Sequence, residues 1–275
     1  MQTTNNSCPV CLSFDLNEFQ LIETVDGINR VRCKRCDTIF FLTDPPAGVV
    51  YNAEYISRFF KQDYLKKAAF SAAYLSDFAR AYFNNPSILE VGIGNGFVTA
   101  MLKHFGYNIW GNDVDTDLLY FIRKKYDIPL LPGDFTQLKT DLKFDIIYSA
   151  QTIEHCNNPR AFFNKVFDLL NPHGILIIET PDIRYREAGP GRWHHFETRG
   201  KFEHLVMFSD QSLRYLASAT LLKPQFLGTD RVFQALIGIF TKGELNPPKI
   251  EDLTPQDRFG TLLQPFFFAK NSGTL

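Results

Sequence analysis

The sequence predicts an α/β protein, a doubly wound domain with a mostly parallel sheet, preceded by a small cysteine-stapled module. Three observations carry this expectation. Between residues 88 and 179, short apolar runs alternate with amphipathic helical stretches, the pattern of a parallel sheet covered on both faces. A glycine-rich turn, Gly92-Ile93-Gly94-Asn95-Gly96, directly follows the first of these runs. Four of the five cysteines fall into two pairs within the first 36 residues.

The bulk numbers bound the answer. A chain of 275 residues accommodates one domain of ordinary size and a small appendage. A hydrophobic fraction of 45% supports a real core. The net charge is −1, from 29 basic and 30 acidic residues, which leaves no basic excess for a large nucleic-acid footprint. Residues 1–7 are polar and unlike a signal peptide, and no apolar run approaches the ~20 residues of a membrane helix. The expected location is therefore cytoplasmic. The 27 phenylalanines have two readings, compositional bias and an aromatic acceptor pocket.

The cysteine pairs are Cys8-Pro9-Val10-Cys11 and Cys33-Lys34-Arg35-Cys36, with 21 residues between them, one beyond the usual 15–20 window for such zinc sites. Each pair can form a tight knuckle, and two knuckles complete a closed tetrahedral site, structural rather than catalytic. Between them, Phe19, Leu21 and Ile22 predict a strand, Asp26-Gly27 a hairpin turn, and Ile28 and Val31 a returning strand. A module of about 40 residues buries little core, so a metal staple makes physical sense. A redox pair or two disulfides are the alternatives, and neither explains the duplicated knuckle. Cys156 stands alone and reads as an inert thiol.

Along the chain, Asp44-Pro45-Pro46-Ala47-Gly48 predicts a linker. A helix is expected over about 54–83, with Tyr64, Leu65, Ala68, Ala72, Leu75, Ala79 and Tyr82 at helical spacing, ended by Asn84-Asn85-Pro86. Strands are expected at Ile88–Val91, Asn108–Asp113, Ile128–Leu131, Phe144–Ala150 and Ile175–Glu179. The helices between them carry Phe97, Val98, Met101, Leu102 and Phe105 on one face, then span Asp117–Tyr126 and Ala161–Leu170, the last closed by Asn171-Pro172-His173-Gly174. Residues 181–207 are polar, with Trp193 and several histidines, and are expected to form a lid. Ser209 should cap a helix carrying Leu213, Leu216, Ala217 and Thr220, with Phe208 and Leu213 spaced for a hydrophobic staple. Leu262–Ala269 is expected to be a last strand, and residues 223–260 have no assigned role. The expected organisation is a cysteine module over 1–45, a helical region over 46–85 and the α/β domain over 86–275.

The glycine turn lies at the carboxyl end of the first strand, where open α/β sheets bind ligands. Glycines let the backbone turn sharply there, and the following helix N-terminus offers unpaired N–H groups. A dinucleotide fingerprint would need a third small residue where Phe97 stands, so that reading fails. Asp113, ending the second strand, can accept hydrogen bonds from both hydroxyls of a ribose. Asp134 can accept from an exocyclic adenine amine, and Phe135 can stack on the base. Together these describe an adenosine site without pyrophosphate contacts.

On these residues the chain resembles class I S-adenosylmethionine (SAM)-dependent methyltransferases. ILEVGIGNGFV resembles their first motif, WGNDVD the second-strand acid and GDF the adenine contact. FDIIYSAQTIEHCNNP and FEHLVMFSDQSLRYL resemble segments of the ubiquinone-biosynthesis-like subfamily, and the cysteine ribbon followed by Tyr51-Asn52-Ala53-Glu54-Tyr55 resembles an arrangement of bacterial members. The resemblance covers most of residues 8–221. It implies a Rossmann-like seven-stranded sheet with an antiparallel last strand. It also implies that Glu90, Gly92 and Gly94 shape the pocket for the methionine and ribose parts, that Asp113 with Val114 holds the ribose, and that Asp134 and Phe135 hold the adenine. Ala150 and Gln151 would line the methionine end.

SAM already carries an electrophilic methyl, so such an enzyme mainly aligns an acceptor lone pair with it and excludes water. If a base is needed, His155 is the first candidate, since a neutral imidazole accepts a proton near pH 7; the alternative is that Glu154 and His155 only shape the loop. His204 resembles the family's lid histidine and is expected at the acceptor site. His194, His195 and His204 read as an acceptor-facing or surface loop in preference to a metal site, and Trp193 and Phe196 as a wall for an apolar acceptor or as lid packing. Three functions compete. The first is methylation of O, N or C of a small molecule. The second is methylation of RNA or protein docked on the ribbon through Arg30, Arg32, Lys34 and Arg35; the third is a non-catalytic SAM-binding module.

Overall fold

The computed structural model describes residues 6–43, 62–184, 202–230 and 235–244. The expected linker Asp44–Gly48, the segment Tyr51–Tyr55, the lid residues Trp193, His194, His195 and Phe196, and the strand Leu262–Ala269 lie outside them. The chain divides into two compact units, one of residues 1–50, 150–168 and 178–240, the other of 51–149, 169–177 and 241–275.

In the first unit, β1 (Phe19–Val25) and β2 (Ile28–Cys33) form the expected hairpin. Its two-residue turn, Asp26 and Gly27, takes φ of 47° and 81°, the left-handed pair that matches strand twist. β3 (Ile39–Phe41) adds antiparallel to β2. The fourth strand of this sheet comes from far downstream: β9 (Val206–Met207) pairs Met207 with Ile39 and Val206 with Phe40.

In the second unit, α1 (Gln62–Tyr82) buries Ala68, Ala72, Leu75, Phe78 and Ala79 along one stripe. The chain turns at Asn85, φ 53°, into β4 (Ser87–Val91), whose Ile88, Leu89 and Val91 are buried. α2 (Phe97–His104) follows from Gly96. It buries Thr99 and Leu102, whereas Phe105, expected on its core face, is 56% exposed as the C-cap. β5 (Asn108–Asp113) leads to α3 (Thr116–Tyr126), capped by Asp115 through Asp117 N and Leu118 N. β6 (Leu130–Pro132) starts two residues later than expected, because Leu130 is the residue that pairs with Gly111 of β5. β7 (Phe144–Ala150) has the expected bounds.

α4 (Pro159–Leu169) and β8 (Leu170–Pro181) correct one boundary. Asn171-Pro172-His173-Gly174 belongs to the strand rather than to a closing turn. Its polar groups have strand-like partners: Asn171 Nδ2 donates to Asp145 Oδ1 at 2.7 Å and Lys242 N to Gly174 O at 3.1 Å. α5 (Asp210–Ala219) starts at Ser209, with a capping box to Ser212 and with both Phe208 and Leu213 buried. Residues without a sequence assignment then form β10 (Lys223–Asp230) and β11 (Ala235–Thr241).

The larger sheet has the order β10-β11-β8-β7-β4-β5-β6. β4 runs parallel to both β5 and β7, and strand order reverses there, the switch point at which open α/β sheets take ligands. Four residues link β10 to β11, too few for a parallel crossover. The fold is thus a seven-stranded, mostly parallel Rossmann-like sheet with antiparallel pairing at its last strands. Among the described residues no helix is long and apolar enough to cross a membrane.

Gly96 sits at φ 70°, and a Cβ there would lie 3.0 Å from Ile122 Cγ2. Gly96→Ala should therefore lower stability by about 1–2 kcal/mol, read as a drop in denaturation midpoint; an unchanged midpoint would contradict this account of the turn.

Candidate active site

The glycine turn is built from alternating left-handed residues: Gly92 at φ 73°, Gly94 at 49° and Gly96 at 70°. The backbone amides of Gly92 and Ile93 donate to Asn112 O at 2.8 and 3.1 Å. Gly94 N donates to Asp113 Oδ2 at 3.1 Å, and Asp115 N donates to Asp113 Oδ1 at 3.1 Å. The Asp113 carboxylate thus bridges the loops that follow β4 and β5. Burial raises its pKa above the ordinary Asp range, with the backbone donors opposing that shift.

Asn112, which the sequence reading passed over, ties in the third loop. It is 2% exposed, and its Nδ2 donates to Leu131 O at 2.6 Å and Gly133 O at 3.0 Å. Gly133 N returns a bond to Asp113 O at 2.9 Å. A polar residue inside an apolar strand, next to the strand-end acid, was the available signal. Asp134 follows directly; it is exposed and caps a short turn through Thr136 N and Oγ1 at 2.8 and 2.9 Å. Phe135 is buried and Val114 exposed. Glu90 is buried and accepts from Thr99 Oγ1 of α2. The second unit therefore links the glycine turn, Asp113 and the Asp134 loop through hydrogen bonds.

Ala150, Gln151, His155 and His204 belong to the first unit. Gln151 takes φ 51° with its N–H bonded to Glu179 O at 2.8 Å. A left-handed non-glycine residue at a strand end is strained, a feature that clusters at functional sites. Ile153–His155 forms a single 3₁₀ turn. Glu154 is fully buried and accepts from Thr180 Oγ1 at 3.0 Å, while Leu205 N donates to Glu154 O at 2.8 Å. His155 Nδ1 lies 2.6 Å from Glu203 O. A carbonyl only accepts, so Nδ1 carries a proton, and in the neutral ring the lone pair is on Nε2. The His155 and His204 rings meet edge to face at 4.9 Å, so these two expected residues, far apart in sequence, come together.

The four ribbon cysteines also converge. All are buried, and their sulfurs lie within 4.8 Å of one another. Cys8 and Cys36 are 3.4 Å apart and Cys11 and Cys33 3.5 Å, far beyond the ~2.05 Å of a disulfide. Those spacings approach the about 3.8 Å edge of a tetrahedron with ~2.3 Å zinc–sulfur bonds. Hydrogen bonding to Cys36 and burial push the Cys8 thiol up, and burial raises Cys33 to about 12. The thiol of Cys8, with help from Thr38, brings Cys36 down to about 6. Four sulfurs this close become thiolates together only around a cation, so the donor set fits zinc.

The ribbon is anchored within its own unit. Ser212 Oγ donates to Asp37 O at 3.0 Å, Gln211 Nε2 to Arg35 O at 3.1 Å, and Arg160 to Val10 O at 3.0 Å. Its basic residues have intramolecular partners. Arg30 is buried against Glu23 and over the Phe41 ring, and Arg32 pairs with Asp37 at 2.6 Å. Lys34 donates to Asn17 O at 3.0 Å, and Arg35 lies 6.0 Å above Tyr215.

A family model described as "Methyltransferase domain" matches residues 53–220. Among curated proteins, ubiquinone biosynthesis O-methyltransferases of Rickettsia bellii and Rickettsia prowazekii are 28% and 29% identical over 115 residues. That is 39% of this chain and 48% and 46% of theirs, so the chain spans about half the length of the curated relatives it matches. Among solved structures, a TehB-like SAM-dependent methyltransferase of Corynebacterium glutamicum superposes with TM-score 0.52 at 18% identity, covering 70% of this chain and 100% of that one. The N-methyltransferase NodS of Bradyrhizobium japonicum, solved with S-adenosyl-L-homocysteine, gives 0.51 at 16%, covering 70% and 94%. These structural likenesses carry the fold. With the family model matched over more than half of its length, the chain belongs to the methyltransferase-domain family.

Proposed function

We propose that the protein transfers a methyl group from SAM to O, N or C of a small molecule, releasing S-adenosylhomocysteine. The observation that carries this is the Asp113 carboxylate, held by Gly94 N–H and Asp115 N–H at the carboxyl ends of β4 and β5. A carboxylate fixed from two sides is preorganised to accept the two ribose hydroxyls. Glu90, Gly92 and Gly94 shape the methionine and ribose pocket, Val114 flanks the ribose, and Asp134 and Phe135 receive the adenine. Ala150 and Gln151 follow Ser149, the partner of Val91 in the sheet, and line the methionine end. SAM supplies the electrophilic methyl; these residues bind and orient it.

On the acceptor side, His155 removes a proton. Its tautomer, held by Glu203 O, leaves Nε2 to accept, and His204 beside it contacts the acceptor. The names of the Rickettsia relatives favour a hydroxyl acceptor. A small molecule is preferred to RNA because Arg30, Arg32, Lys34 and Arg35 are engaged within the chain. The four cysteines hold a structural zinc, which fits a reducing, cytoplasmic compartment.

Asp113→Ala should weaken SAM binding by about 1.5–3 kcal/mol, the loss of a charged acceptor, measured by calorimetry; unchanged affinity would remove its ribose role. The ionised form accepts, and burial raises the Asp113 pKa. Affinity should therefore fall as pH drops through a range above the ordinary Asp value, and Asp113→Asn should abolish that dependence. His155→Ala should lower turnover about 10²–10⁴-fold with SAM affinity retained; an unaltered rate would exclude it as base. Cys33→Ser should lower zinc content and denaturation midpoint together, with metal analysis of the wild type finding one zinc per chain. Because zinc displaces thiol protons, its affinity for the stripped protein should fall as pH falls.

A further inference from the structure

We propose that the cysteine ribbon is the positioning arm of the acceptor site: with zinc bound, it clamps residues 202–207 against the Ile153–His155 turn, and that clamp holds His155 in its proton-accepting tautomer. The effect on turnover rests on the acceptor-side role of His155 proposed above, whereas the clamp itself does not.

Residues 202–207 touch the ribbon at both ends. Phe202 is buried with Val25 and Phe41 of the ribbon strands, and its ring meets Phe41 edge to face at 5.3 Å. Met207 is buried with Ile39, and Ile22 packs against the same cluster. Val206 and Met207 also pair with Phe40 and Ile39 in the ribbon sheet. Between these anchors the main chain meets the acceptor-side turn. Glu203 O accepts from His155 Nδ1 at 2.6 Å, and Leu205 N donates to Glu154 O at 2.8 Å. His204, between them, brings its ring to 4.9 Å from that of His155. Each contact with the turn therefore adjoins a contact with the ribbon: Glu203 follows Phe202, and Leu205 precedes Val206.

The ribbon side of the clamp depends on the cysteines. β3 leaves directly from the second knuckle, where Cys33 N donates to Thr38 O and Asp37 N to Cys33 O, both at 2.8 Å, and Thr38 Oγ1 lies 3.1 Å from Cys36 Sγ. The apolar clusters on β1 and β3 are small, and a module of about 40 residues buries too little surface to fix its strands without a cross-link. Loss of the metal therefore frees β3, and with it both Phe202 and Met207. Glu203 O then leaves His155 Nδ1, and nothing selects the Nδ1–H form over the Nε2–H form that a solvated imidazole favours. In the Nε2–H form the nitrogen that should take the acceptor proton already carries one. Asp113 and the glycine turn belong to the other unit, so cofactor affinity is not set by the clamp.

The test compares the zinc-loaded full chain with the same protein stripped by a chelator under reducing conditions. Ring-nitrogen shifts in ¹⁵N NMR report the tautomer of His155, its signals identified by their absence in His155→Ala. The expected result is Nδ1–H in the loaded protein and loss of that signature on stripping, with SAM affinity by calorimetry retained. Transfer of label from SAM into a metabolite extract should fall about 10²-fold, the cost of a misplacement of about 1 Å. Phe202→Ala should reproduce both losses with zinc content unchanged, and Phe202→Leu, which keeps most of the apolar contact, should restore both. Retention of the Nδ1–H signature in the stripped protein or in Phe202→Ala would overturn the clamp. So would loss of SAM binding on stripping, since the metal would then support the whole chain. A zinc-linked tautomer in a protein that does not bind SAM would sustain the clamp and refute the methyltransferase reading, and a zinc-independent tautomer with label transfer intact would do the reverse.

Discussion

The end of β5 governs the geometry of the cofactor side. Asn112 and Asp113 between them accept from or donate to the loops after β4, β5 and β6. Asn112 is buried, so its amide must find partners inside the protein. It finds them on main-chain carbonyls, where geometry leaves little freedom. The glycine turn takes its shape because its N–H groups converge on Asn112 O and Asp113 Oδ2, with Gly92 and Gly94 at the positive φ that lets the chain reverse between them. Three loops are therefore set by one dipeptide, and the carboxylate that would meet a ribose is fixed before any ligand arrives.

In the other unit, the ribbon has a similar reach. The second knuckle offers the Asp37 and Arg35 carbonyls to Ser212 and Gln211 in the first turn of α5. β3, just beyond that knuckle, pairs with β9, and the residue before β9, Leu205, bonds the main chain of Glu154. A metal on the four cysteines would thus steady the segment that brings His204 to His155. This gives the ribbon an architectural reason within its own unit, and it matches the internal use of the ribbon's arginines and lysine.

Legibility followed the range of the forces involved. The β1–β2 hairpin was readable because Asp26-Gly27 encodes its own turn, and the Ser209 cap because capping is local. β7 had its expected bounds because an apolar strand buried on both faces has an unmistakable run. Phe105 misled because apolar spacing identifies a candidate face, while a helix of only eight residues ends before that position can turn inward. Asn171-Pro172-His173-Gly174 reads as a turn by composition, yet neighbouring Asp145 and Lys242 draw it into β8. β10 and β11 carried no periodic signal, since their pattern depends on partner strands.

The amino-acid sequence by itself determined the α/β class, the cysteine spacing, the glycine turn and the acid at the end of β5, because each is written in residues close together or in a single strand's periodicity. Only the tertiary structure decided that Asn112 joins three loops, that β9 completes the ribbon sheet, and that Glu154, His155 and His204 share one small volume. Those outcomes depend on which distant segments pack together, and burial and unpaired polar groups settle that choice after the local elements have formed.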